Sequence, residues 1–154
     1  MNQATVTLPI LGTEDVEELP VEMIDHHYRL VASPGMVEGL AAGDEFILDS
    51  NIDLGFRIVK HSGNLCVWFY FPVSLSPQSM RDHPMSHEVE ALGGRLDGGG
   101  REHAVYTIAV RVGFPVVEKL FAKWLASISG STWMFGNVYD PHDGETPLDW
   151  WMPK

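Results

Sequence analysis

The sequence is poor in cysteine and in positive charge. Cys66 is the only cysteine among 154 residues, which excludes an internal disulfide framework and fits a reducing compartment. Ten Lys and Arg residues stand against 21 Asp and Glu residues, so the formal net charge is -11 at pH 7. Such a charge repels the phosphates of nucleic acids and anionic lipid headgroups. We therefore expect neither nucleic acid nor a membrane surface as a partner.

Long apolar runs are absent from the sequence as well. No stretch approaches the ~18 apolar residues of a membrane-spanning helix. The start of the chain, MNQATVTLPILGTED, lacks the basic region and the long apolar core of a signal peptide. These absences predict a soluble, cytoplasmic protein. With 45% hydrophobic residues, the chain is long enough for one cooperative core or for two small subdomains that share one.

Short alternating segments separated by turns dominate the first half. After residues 1–15, which we expect to be loose, VEELPVEMI carries apolar residues at every second position, and its proline suggests an edge strand. Further short strands follow in YRLVA, around FIL and in FRIVKH, with SPG, AAGD and SGN as turns. The pattern predicts a small, curved antiparallel sheet or barrel over residues 16–64.

The second half alternates strands with helices. LCVWFYF is a continuous apolar run, typical of a central strand covered on both faces, which makes Cys66 a core residue rather than a nucleophile. A capped helix, the hairpin strands RLD and EHAVYTIAVRV, the amphipathic helix PVVEKLFAKWLASISG and the strand TWMFGNVY follow. This β-α-β-β-α-β order predicts a ferredoxin-like unit over residues 65–139, within an α+β fold, and leaves residues 140–154 as a tail.

The segment RDHPMSHEVEALGG raises the question of a metal site. Pro84 disfavours helical geometry at His83, so we predict that the helix starts at or just after Pro84 with His83 at its cap. The apolar residues of this helix would face the sheet and leave His87 and Glu90 in solvent. A structural zinc needs four ligands, and a catalytic zinc usually has three that are held in place by a second shell of residues. The spacing suggests no ligand beyond His83, His87 and Glu90, and no residues that would hold these three in place. We therefore expect no metal and no cofactor, with these three as weak candidates.

Three residues in predicted turns are candidate ligand-binding positions. Asp25 and His26 fall in a hairpin turn, and Asp44 precedes a strand. Ordinary turn chemistry also explains aspartate at such positions. Because the sequence has no Walker, Rossmann, Gly-x-Ser-x-Gly or His-Glu-x-x-His pattern, we assign no catalytic residue.

The tail contains Trp150, Trp151 and Met152, and we expect these large apolar side chains to pack against another surface. Docking on the protein's own surface, between its two halves, is the simplest arrangement. The alternative is a contact with a protein partner or with a second copy of the chain, because tryptophan is enriched at interfaces. Asp149, Trp150 and Trp151 are the candidate partner-binding residues.

Turn and core motifs run from residue 16 to about residue 130. They comprise a Val-Glu-Glu-Leu start, Tyr-Arg-Leu, a Ser-Pro pair, an Ala-x-Gly-Asp turn, a Ser-Gly turn and a Leu-Gly helix stop. In this order the chain resembles a bacterial family of uncharacterised proteins, domain of unknown function 4265. The resemblance implies a shared fold and brings no catalytic residues.

Two classes of function fit these observations. The first is a non-catalytic protein-binding module, such as an acidic inhibitor or immunity-type protein that acts on a basic partner. The alternative is a small-ligand-binding regulatory module with its site at a subdomain or dimer seam, which is an analogy from the fold. An enzyme comes third, because the sequence has no convergent nucleophile, acid–base or metal set.

Overall fold

The structure is a computed structural model that describes residues 2–153. Within these residues, nine strands form two antiparallel sheets, accompanied by three α-helices and one 3₁₀ turn. The prediction of an α+β fold is confirmed. No helix in this range is long and apolar enough to cross a membrane.

The first sheet is a five-stranded meander in which each strand pairs with the next. Pro9, at the end of the first strand, lies so close to Gly55, just before the fifth, that a Cβ on this glycine would be 2.7 Å from the proline Cδ. The sheet is therefore curved, but within residues 2–153 its first and last strands do not pair, so it is not a closed barrel. The strands are β1 (Gln3–Pro9), β2 (Val16–Ile24), β3 (His27–Leu30), β4 (Glu45–Leu48) and β5 (Phe56–Lys60).

Strand β1 corrects two expectations for the start of the chain. The prediction of a loose segment over residues 1–15 is wrong for residues 3–9, which pair with β2 along their whole length. Val6 and Leu8 explain this strand, because both are buried while the residues on either side of them are exposed. With β1 and β3 on its two sides, β2 is not an edge strand, and Pro20 still takes part through its carbonyl, which accepts from the Val31 N–H.

The second sheet has the strand order β7-β8-β6-β9, with every neighbouring pair antiparallel. Three helices pack on one of its faces and form a core with it. The strands are β6 (Asn64–Tyr70), β7 (Arg95–Gly99), β8 (His103–Ala109) and β9 (Thr132–Phe135), and the helices are α1 (Pro77–Asp82), α2 (Pro84–Ala91) and α3 (Phe114–Ser127).

Strand β6 is buried on both faces, as its apolar run predicts. Its odd-numbered apolar residues face the helical core, whereas Cys66 and Trp68 face the opposite way, toward Ala41 in the connection between β3 and β4. Burial raises the pKa of the Cys66 thiol. The prediction that Cys66 is a core residue is confirmed.

Helix α2 begins where the proline rule predicts. His83 is its N-cap, and the Nδ1 atom of this histidine accepts from the Met85 N–H at 3.1 Å. A separate short helix, α1, precedes it and is capped by Ser76.

Strand β8 ends earlier than the alternation of EHAVYTIAVRV predicts. Its last pair joins Ala109 to Asn64, the first residue of β6, so the ladder has no partner beyond this point. Val110–Val112 therefore turn into a 3₁₀ helix, and the Val110 N–H donates to the Gly63 carbonyl.

Candidate functional site

The two sheets meet along residues 31–44, the connection between β3 and β4, which we call the seam loop. On one side, Val37 and Leu40 of this loop belong to the core of the first sheet. On the other side, Ala41 packs with Cys66 beneath the second sheet. The boundary between the sheets, here called the seam, is therefore a packed interface inside one chain.

Glu17 of β2 holds the first part of the seam loop. Its Oε2 accepts from the Gly35 N–H at 2.8 Å, and its Oε1 accepts from the Met36 and Val37 N–H groups at 2.9 and 2.8 Å. Charge-assisted hydrogen bonds of this kind are stronger than those between neutral groups. Glu17 is not among the residues predicted from the sequence, although the alternation of β2 places it on the inward side with Leu19, where a carboxylate needs partners.

A buried polar chain ties the seam loop to the second sheet. The Ala42 N–H donates to Ser33 Oγ at 2.9 Å, and Ser33 Oγ lies 2.6 Å from Thr107 Oγ1. The Thr107 hydroxyl donates to Asp97 Oδ2 at 2.5 Å, and the same oxygen accepts from the Ser33 N–H at 2.8 Å. Each polar group in this hydrogen-bonded network has a partner, and buried networks of this kind are stable only when their groups are paired.

Asp44 holds the other end of the seam loop. The carboxylate is buried, and it accepts from the Ala41 N–H at 2.9 Å and from the Ser62 N–H and hydroxyl at 2.8 and 3.0 Å. Burial raises the pKa of Asp44 to about 6, although these hydrogen bonds act to lower it. Both carboxylate oxygens are thus engaged by the chain's own donors.

The three ligand-binding candidates from the sequence do not come together. Asp25 and His26 are exposed in the turn between β2 and β3, where Asp25 has a φ of 50°. Asp44 lies at the opposite end of β3, where its carbonyl accepts from the Leu30 N–H. A ligand-binding role for each of them stays a prediction.

The metal candidates at the start of α2 and along it also do not form a metal-binding cluster. The His83 ring packs against Phe71 and Trp124, at centroid distances of 5.6 and 5.2 Å, and partial burial lowers its pKa. His87 and Glu90 are exposed. The described residues contain no group of three or more His, Cys, Asp or Glu side chains placed to hold a metal ion.

The tail docks on its own chain. The Trp150 Nε1–H donates to the Asn137 carbonyl at 2.8 Å, and the indole stacks on His61 at a centroid distance of 5.1 Å. Trp151 packs edge-on against the first residue of α3. Of the two arrangements expected from the sequence, docking on the protein's own surface is the one found. A partner contact through these tryptophans and Asp149 stays a prediction.

An open groove of about 490 Å³ borders both sheets and both ends of the seam loop. Arg29 from the first sheet and Arg95 and Arg111 from the second half line it, and Glu22 is the only acidic residue among its lining residues. The sequence contains six arginines, so half of them lie around this groove in a chain of net charge -11. We call it the arginine groove.

A second cleft, of about 350 Å³, lies at the other end of the same face of β8. His103 lines it and accepts through Nδ1 from the Gly100 N–H at 3.2 Å, so the neutral ring carries its proton on Nε2. That nitrogen is buried and has no hydrogen-bond partner within residues 2–153. It is closed off by Gly35, where a Cβ would lie 3.2 Å from it, so the cleft offers an arriving ligand no direct access to this donor.

The model of a family described as a domain of unknown function, DUF4265, matches residues 17–131. The chain belongs to this family. The resemblance seen in the turn and core motifs is thereby confirmed. The DUF4265 match contains every residue that lines the arginine groove, together with Glu17 and Asp44, and it ends before the tail.

One solved structure similar to this DUF4265 chain is that of a hypothetical protein from Neisseria gonorrhoeae. The TM-score is 0.62 at 13% sequence identity, and the alignment covers 88% of this chain and 93% of that one. At this identity the similarity shows a shared fold alone. A search of curated proteins found no match.

Proposed function

We propose that the protein is a small-ligand-binding regulatory module whose site is the arginine groove. The main support for this proposal is that residues from both sheets and from the seam loop line a single open groove. Arg29 comes from the first sheet, Arg95 and Thr107 come from the second, and Gly43 comes from the loop between them. Concave surfaces between subdomains, with a few converging polar groups, are the usual setting for small ligands.

The groove also explains how a ligand could act as a regulator. A molecule bound there would touch both sheets at once, and it would favour the arrangement of the sheets that it binds best. Thr107 links the groove to the buried polar chain that holds the seam loop, so ligand contacts and loop position share a residue.

A thermal-shift screen tests this proposal. The purified protein is heated with a library of metabolites sorted by charge, and a ligand of the groove is expected to raise Tm as its concentration rises. A ligand at about 100 times its Kd adds about 2.7 kcal/mol to the free energy of unfolding, which shifts Tm by several degrees.

Two matched variants locate the effect. Val31 lines the groove and Val59 is exposed on β5, outside the groove. We expect V31W to narrow the groove and abolish the shift, and V59W to leave it unchanged. A library without active compounds, or active compounds that work equally on both variants, would count against the proposal.

A second candidate function is an acidic inhibitor or immunity-type protein that binds a basic partner, with a second copy of the chain as the other possible partner. It is favoured by the exposed carboxylates Asp143, Glu145 and Asp149, which lie in the same tail as the exposed apolar residues Leu148 and Met152. Affinity capture at low and high salt tests it. Replacing the three carboxylates with amides should release a basic partner, and unchanged capture would contradict a role for the tail.

We also propose that β6–β9 and their helices form a ferredoxin-like unit. The support is the strand order, because α1 and α2 connect β6 to β7 across β8, and α3 connects β8 to β9 across β6. We further propose that the protein is cytoplasmic. The support is that its single cysteine, Cys66, is unpaired, as is usual in a reducing compartment.

A further inference from the structure

We infer that the arginine groove binds the carboxylate or phosphate group of a small anionic ligand through Arg95 and Arg111. The inference rests on the proposed function, because it names the chemical class of ligand for the same groove. Guanidinium groups match the oxygens of both anions with paired N–H donors.

Arg95 is oriented before any ligand arrives. Its Nε–H donates to Asp97 Oδ1 at 2.5 Å, and its Nη2 donates to the Val31 carbonyl at 2.8 Å. Asp97 is itself held by Ser33 and Thr107. A guanidinium has five N–H donors, so three remain for a ligand, and a side chain fixed in this way loses little freedom on binding.

Arg111 supplies a positive charge that no neighbouring carboxylate neutralises within residues 2–153. It lies in the 3₁₀ turn after β8, it is exposed, and within residues 2–153 it has no acidic side chain within 4 Å. Arg29, by contrast, faces Glu22 across the β2–β3 pair and lies 3.9 Å from Glu45. An incoming anion therefore meets, in one groove, the uncompensated charge of Arg111 and the free donors of Arg95.

The rest of the molecule limits the size of this anion. A net charge of -11 repels a polyanion such as nucleic acid at long range, whereas a ligand with one anionic group experiences far less repulsion. Val31 and Ala109 add apolar lining next to the arginines, which suits a short organic body attached to the anionic group. The groove volume of about 490 Å³ lies in the range of small-molecule sites.

Calorimetric titrations at constant ionic strength test the inference, with inorganic phosphate, pyrophosphate and succinate as probes. We expect at least one of them to bind, and R111Q to weaken binding roughly tenfold, because it removes a charged donor pair. R111K keeps the positive charge but loses the paired N–H donors of the guanidinium, so its affinity should lie between those of the unaltered protein and R111Q. The matched control is R81Q, which removes the same charge from an exposed position on α1 and should leave the affinity within about twofold of the unaltered protein.

The probes also separate the two anions. Tighter binding of phosphate or pyrophosphate than of succinate supports a phosphorylated ligand, and the reverse order supports a carboxylate. No binding up to about 10 mM, a range that detects millimolar dissociation constants, would overturn the inference. Equal affinities of R111Q and R81Q would overturn it as well. A third outcome is that neutral compounds bind, that V31W abolishes their binding, and that none of the three anions binds. In that case the inference of an anionic ligand is wrong, whereas the proposed function stands.

Discussion

Replacing Glu17 with alanine is expected to lower the free energy of unfolding by about 3 kcal/mol. The change removes the shared acceptor of three successive amides in the seam loop, those of Gly35, Met36 and Val37. Part of this cost is recovered, because Met36 is exposed and its amide can bond to water. The expected loss is therefore smaller than three separate unpaired donors would give.

Glu18 provides the matched control for Glu17. It is the next residue of the same strand, it is exposed, and its side chain makes no hydrogen bond in the described part of the chain. E18A removes the same charge and should change stability by less than about 0.5 kcal/mol. Urea denaturation measures both variants, and equal midpoints for E17A and E18A would show that the carboxylate does not hold the loop.

The second large effect is expected at Asn137, which is buried just after β9. Its Oδ1 accepts from the Cys66 N–H at 2.8 Å, and its Nδ2 donates to the Asn64 carbonyl at 2.9 Å. Strand β9 ends at Phe135, so this side chain takes the place of a neighbouring strand at the start of β6. N137A removes the partners of the buried Cys66 N–H and of the partly buried Asn64 carbonyl, and we expect it to cost about 3 kcal/mol.

Hydrogen exchange distinguishes this mechanism from a general loss of packing. In N137A the Cys66 amide should exchange much faster than the amides of Val67 and Phe69, because it alone has lost its acceptor. T132A, at an exposed position of β9, serves as the control and should leave all three amides as protected as before. Unchanged protection of Cys66 in N137A would refute the assigned role.

Much of the second half follows from local sequence rules. The apolar run of β6, the periodicity of α3 and the proline at the start of α2 each depend on neighbouring residues, and the structure agrees with all three. Strand β1 was missed because only Val6 and Leu8 carry its inward face, a pattern too short to tell from a polar loop.

The seam could not be read from the sequence, because its partners are far apart in the chain. Ser33 bonds to residues 64 and 74 positions away, and no local pattern marks Asp97 or Thr107 as its partners. The arginine groove was hidden for a further reason: the strongly negative composition gives no sign of a local cluster of positive charge, while the fold gathers Arg29, Arg95 and Arg111 from three separate segments.

The turn motifs that mark the family also acquire a physical reason. Gly43 of the Ala-x-Gly-Asp turn has a φ of 88°, and a Cβ at this position would lie 2.8 Å from the Ser62 Cβ. Only glycine fits there, and its neighbour Asp44 bonds to the same Ser62. The close approach of Gly43 to Ser62 and the hydrogen bond from Ser62 to Asp44 therefore hold the two turns together at the seam.

Whether the groove between the two sheets is a ligand site is tested most directly by an NMR titration of ¹⁵N-labelled protein. The titrant is the compound that raises Tm most in the library screen. If the ligand binds in the arginine groove, we expect amide shift changes on both sides of the seam, at Arg29, Gly43, Asn64, Arg95 and Thr107. Changes confined to the helices, to the outer face of the first sheet or to the tail would contradict it.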